Sequence, residues 1–150
     1  MSTFCCERFE FEARLPEGWA AKESDVSVVF KPAADEFGPS LVVTPVTGVP
    51  PELSLHRGGI EFFKAAIERE VVDAEFGNEE KFFVDGVEAV AFNVGYAYVT
   101  GDGNVAPVAK MQVYLKWGDR VVSITGTTTP DDFEARYPTF RDFVLSFRFR

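Results

Sequence analysis

The feature that most constrains this chain runs from Lys81 to Thr128, where apolar alternation is broken by three short turn signals. Asp85-Gly86 stands between KFFV and VEAVAF, and this dipeptide between apolar runs is the strongest short hairpin signal, because a type I′ turn needs positive φ at both central residues. GDGN, Gly101 to Asn104, separates Val87–Thr100 from Val105–Trp117, and WGDR turns into VVSITGTT. A period of two along runs this long predicts an antiparallel meander of four strands. Alternation also sorts the side chains. From Val87 to Thr100 one face carries small residues such as Ala89, Ala91, Asn93 and Gly95, and the other carries Val90, Phe92, Val94, Tyr96 and Tyr98. In the next two strands Gln112, Tyr114 and Lys116 share one parity, as do Ser123, Thr125 and Thr127. Bulky sides suit a core. A side of small and hydroxyl-bearing residues is either covered by the chain's own helices or left for a guest helix or apolar ligand.

The N-terminal third reads as three short strands: RFEFEARL (Arg8 to Leu15), VSVVFK (Val26 to Lys31) and SLVVTPV (Ser40 to Val46). PEGW is a turn, and KPAADEFGPS carries the Pro and Gly of a loop. A helix follows, with Ser54 as its expected N-cap and Ile60, Phe63, Ile67, Val71 and Ala74 on one face. Gly58 and Gly59 weaken its first turns, and the acids that outnumber bases from Ile60 to Lys81 form a solvated outer face. Near the C-terminus, Thr129 reads as an N-cap, Pro130 as the first helical residue and Asp132 as the capping-box position. Pro138 is expected to end or kink the first turns. Phe140, Phe143, Val144 and Phe147 continue an apolar face, and SFRFR alternates as an edge strand. The layout is α+β, an antiparallel β-sheet flanked by helices, in one domain spanning 1–150.

Composition narrows the function. Sixteen Phe and a 46% hydrophobic content are ample for one core. With 24 acids against 15 Lys and Arg, the net charge of -9 disfavours nucleic acid and anionic membrane surfaces. The N-terminal residues predict no secretory signal, since Glu7 interrupts any apolar segment, so a cytoplasmic location is expected. Cys5 and Cys6 read as ordinary residues near the first strand, because adjacent cysteines form only a strained ring.

Chemistry is scarce. His56 is the only histidine, and without a second His or a paired Cys it builds neither a zinc site nor a nucleophile–base pair. GDGN lacks the spaced carboxylates of a calcium loop, and no phosphate-cradling glycine motif occurs. Asp131 and Asp132 are acid/base partners on paper, although a helix N-terminus accounts for them. No enzyme activity, metal or cofactor is predicted.

LPEGW after a strand, SLVVTPV, the amphipathic helix, the Asp85-Gly86 hairpin and above all F-x-x-x-Y-P-x-F-x-x-F-V-L-S-F at Phe133 to Phe147 resemble DcrB-related proteins. That family shares the fold of PsbP and the Ran-binding Mog proteins, which implies a PsbP-like α/β/α sandwich and a role in binding. The cytoplasmic branch that the chain is similar to, the Eag-type chaperones of type VI secretion, shields hydrophobic effector helices in a groove on the sheet and dimerises. The resemblance therefore implies a chaperone or adaptor for an apolar effector helix, with a homodimer as an option. Asn93, Gly95, Gln112, Tyr114, Ser123 and Thr125 are the residues expected to line the groove, since close helix approach favours small side chains. The alternatives are another DcrB-like binding role, a small-molecule binder or enzyme using pocket carboxylates, and a structural dimer module without a ligand.

Overall fold

The computed structural model describes residues 2–35 and 38–150. Ten strands and two helices follow in chain order: β1 (Thr3–Cys6), β2 (Phe11–Arg14), β3 (Trp19–Glu23), β4 (Val28–Pro32), β5 (Ser40–Val46), α1 (Gly59–Glu70), β6 (Glu75–Val84), β7 (Val87–Val99), β8 (Val105–Trp117), β9 (Arg120–Thr128), α2 (Phe133–Ser146) and β10 (Arg148–Phe149). Seven strands form one antiparallel sheet in the order β3-β4-β5-β9-β8-β7-β6, and β1-β2-β10 form a second, small one. The predicted meander is present as β6 to β9, closed at its first turn by Asp85 and Gly86, both at positive φ.

Each face of the large sheet takes one helix. On the α2 face, Phe30, Leu41, Val43, Ala89, Met111, Val113, Leu115, Val122 and Ile124 form the main core with Phe140, Phe143, Val144 and Phe147. The small sheet joins that core through Cys6, Phe11 and Ala13, with the Phe11 and Phe147 rings stacked at 4.9 Å. On the opposite face α1 sets Ile60 and Phe63 against Val90, Phe92, Tyr114 and Val121. This is the expected α+β sandwich, with an antiparallel sheet between helices.

Several local expectations are corrected. The alternation from Arg8 to Leu15 is not one strand. Cys6 pairs with Phe11 across a turn in which Glu10 takes φ 56, so Thr3–Cys6 and Phe11–Arg14 form a hairpin. Trp19–Glu23 follows the PEGW turn as an extra edge strand, paired with β4 from Trp19↔Pro32 to Glu23↔Val28. Glu36 and Phe37, in the expected loop, lie outside the described residues. Ser54 does not cap α1, whose N-cap is Gly58 at φ 93; its hydroxyl is bound instead to Glu88. Val71 is already extended at the helix's C-cap, so Val71 and Ala74 are not helical. Thr129 offers no side-chain cap, and Pro130–Asp132 form a 3-10 turn ahead of α2. Pro138 lies within α2 and does not end it.

Candidate functional site

The register places the six expected groove residues on both faces. Gln112 lies opposite Phe92 and Thr125, and Tyr114 opposite Val90 and Ser123, so these four share the α1 face. Asn93 lies opposite Met111 of the α2-side core, and Gly95 follows two residues on, so both face α2's side. One groove cannot contain all six. The reason is the period of two: Phe92–Gln112 and Asn93–Met111 are successive cross-strand pairs and therefore point oppositely.

The four on the α1 face differ among themselves. Tyr114 is under α1, its ring stacked on Phe63 at 3.7 Å and 7° between planes. Burial pushes its phenol pKa up, and the hydrogen bond from Gln112 Nε2 at 3.1 Å pulls it the other way more weakly. Ser123 is nearly buried and donates to the Thr44 carbonyl at 3.3 Å. Gln112 and Thr125 stand at the border of a broad open area. There, β5 alternates a buried Leu41 and Val43 with half-exposed Ser40, Val42 and Thr44. Val29 and Thr127 are also half-exposed, and Ala20 and Lys22 are exposed. Among the described residues this area lies outside the α1 cluster, which takes in Val90, Phe92 and Tyr114 but only Val121 of β9 and Val46 of β5, and α2 lies on the other side. A shallow depression of ≈ 520 Å³ at its β3–β4 end is lined by Ala20, Lys22, Val29 and Lys31, among others.

The connection into α1 has a structural task. His56 Nε2 lies 3.0 Å from both the Phe82 and the Ala89 carbonyls, so it carries the proton and donates to them. Glu88 accepts from the Ser54 hydroxyl at 3.0 Å and the Leu55 N–H at 3.1 Å, and Lys116 donates to the Pro51 and Leu53 carbonyls at 2.6 Å. The sole histidine is thus occupied in tying this loop to the sheet. Asp132, half of the carboxylate pair at α2, accepts from Arg136 Nε at 2.7 Å. Among the described residues no cluster of three or more His, Cys, Asp or Glu side chains has metal-binding geometry. No helix among them is long and apolar enough to cross a membrane.

On the opposite face a cleft of ≈ 570 Å³ opens between the start of α2 and the β6–β7 edge. Ala91 and Asn93 form its floor, Phe133 and Tyr137 one wall, and Asn78 and Glu80 the other. Small side chains on β7 make this room, as their alternation predicts. The bulge was not legible: the β6 register slips between Phe76 and Glu79, inserting Gly77 and Asn78 beside Asn93.

No family model matches the chain, and no curated protein does. Solved structures do. The chain aligns over 99% of its length with 94% of the Ran-binding protein Mog1p of Saccharomyces cerevisiae, at TM-score 0.66 and 11% identity. It aligns over 99% with 92% of the cyanobacterial PsbP protein, CyanoP, of Synechocystis, at TM-score 0.63 and 18% identity. The fold is that of PsbP and Mog1p. A Pseudomonas aeruginosa protein of unknown function is similar too, with 88% of this chain covering 97% of it at TM-score 0.62 and 14% identity. At these identities the PsbP/Mog1-like likeness speaks to architecture alone.

Proposed function

We propose that this chain is a non-enzymatic binding protein, a cytoplasmic chaperone or adaptor that shields an apolar helical segment of a partner protein on the open half of its α1-side sheet face. The observation that carries the reading is that half-face: β3, β4, β5 and β9 present half-exposed Val29, Val42, Thr44 and Thr125, none of which belongs to the cluster that α1 packs on. Four strands at about 4.8 Å spacing give a floor about 14 Å across, enough for one helix about 10 Å in diameter. A guest at the usual 8–10 Å helix spacing from α1 would lie over β9 and β5. Short Thr and Val side chains permit close approach, and α1 already uses the neighbouring strands in the same manner. Mog1p is by name a Ran-binding protein, in keeping with protein recognition on this architecture. The family resemblance extends the reading to a type VI secretion effector as client, and to a homodimer as the working form.

The test is co-expression with the product of the adjacent gene. The partner is expected to be insoluble alone and soluble in complex, and Thr125→Arg, which fills the floor, is expected to abolish the complex while leaving the fold intact. A neighbour that is soluble alone and migrates separately on a sizing column defeats the client assignment. A complex indifferent to Thr125→Arg moves the interface elsewhere.

A further inference from the structure

The cleft at the start of α2 is independent of that half-face, and its chemistry is one-sided. Among the described residues, Asn78, Asn93, Glu134 and Tyr137 all line it, Asn78 and Glu134 exposed and the other two half-exposed, and none of these side chains has a hydrogen-bond or ion-pair partner within the protein. Pro138, also in the wall, has no N–H to give the Glu134 carbonyl, so this turn of α2 lacks one helical hydrogen bond. The rings of Phe133 and Tyr137 are 5.7 Å apart and tilted by 45°, presenting π-surface to the same space. Among the described residues no Lys or Arg lines the main cleft. A separate small cavity of ≈ 20 Å³ shares Glu80, Ala91 and Tyr137 with the cleft, and there Arg141 stands 3.6 Å from Glu80.

We propose that this cleft is a binding site for an organic cation, a guanidinium or alkylammonium group. The site holds carboxylate, amide and phenol groups and two aromatic rings, and its one neighbouring cation, Arg141, is paired with Glu80 and leaves Glu134 without a counter-charge. A group with several N–H donors and a delocalised or alkylated cation satisfies all of these together, through charge-assisted hydrogen bonds and cation–π contact. The volume is that of a small-ligand site. Glu134 in the first turn of α2 is explained in part by the helix dipole. That account does not extend to Asn78, Asn93 and Tyr137, which line the same cleft from β6, β7 and the second turn of α2. It also leaves unexplained the bulge that brings Asn78 there.

The same chemistry arrives either as a free polyamine or as a Lys or Arg side chain of a protein. Calorimetric titration at low salt with spermidine, with agmatine and with an alanine-based helical peptide bearing a single Arg distinguishes these sources. Saturable binding of at least one probe is expected, weakened about five- to tenfold by Glu134→Gln. Glu68→Gln, the same charge change on the exposed face of α1, is expected to leave it unaltered. Saturation by the amines alone assigns a small-molecule ligand, and saturation by the peptide alone assigns a protein side chain. Absence of saturable binding by all three overturns the site, as does an equal effect of Glu134→Gln and Glu68→Gln, which would mean attraction by net charge only.

Discussion

Tyr114 illustrates how one side chain can be read correctly for parity and wrongly for role. It lies on the expected face, yet its ring is sandwiched against Phe63 in the core beneath α1, with its hydroxyl held by Gln112. Its pH behaviour follows from that burial. Low polarity disfavours the phenolate, so the folded-state pKa stands above the unfolded value of about 10. Between the two values the native state holds a proton that the unfolded chain has lost, and stability falls as pH rises. Below about pH 10 the contribution is fully present. Urea midpoints measured from pH 8 to 11 are expected to decline above about pH 10, and Tyr114→Phe is expected to remove part of that decline. Parallel curves for the two proteins across the whole range would refute the assignment. At pH 8 the substitution is expected to cost about 1 kcal/mol, because Gln112 loses its partner.

The contact between α2 and β9 turns on an absence. Gly126 lies directly beneath the fully buried Phe140, and a Cβ there would come within 2.6 Å of the ring. The ring belongs to the same buried cluster as Phe143, Val144 and Met111, which opposes its displacement. Gly126→Ala is therefore expected to destabilise by about 1–3 kcal/mol, the usual cost of overpacking. Thermal melts of the variant test it, and an unchanged midpoint would mean that α2 slides freely on the sheet. Much at this scale was legible in the sequence. Ser40–Val46 is the strand expected, the Asp85-Gly86 turn falls where its chemistry requires, and the helix face of Phe140, Phe143 and Val144 is buried. What was not legible depended on tertiary partners. Trp19–Glu23 has little strand character of its own and exists by pairing with β4. Ser54 has a capping residue's chemistry, but the Glu88 carboxylate competes for its hydroxyl. The candidate site was half legible: parity marked small faces, whereas which half of each face remains uncovered depends on where α1 and α2 land.

At the scale of the whole molecule, the question is whether the small sheet unfolds with the large one. The three strands of β1-β2-β10 bring the two ends of the chain together, and short sheets of this kind open easily on their own. Two ties argue otherwise here. Asp85, in the turn between β6 and β7, accepts from the Phe149 N–H at 3.1 Å, which ties β10 to the meander. Cys6, Phe11 and Ala13 are buried in the same cluster as Phe30 and Phe143. Cys6 reports on this directly, being 1% exposed, while Cys5 beside it is exposed. Burial also pushes the Cys6 thiol's pKa up, which lowers its reactivity further. In a Cys5→Ser background, alkylation of Cys6 under native conditions is expected to require global unfolding. Its opening free energy should equal that from urea denaturation, within the usual range of about 5–15 kcal/mol, and it should fall with urea at the same slope. Labelling that is fast and indifferent to urea would show instead that the hairpin of β1 and β2 detaches by itself. The chain would then consist of two units of unequal stability, with its small sheet separable from the PsbP-like sandwich.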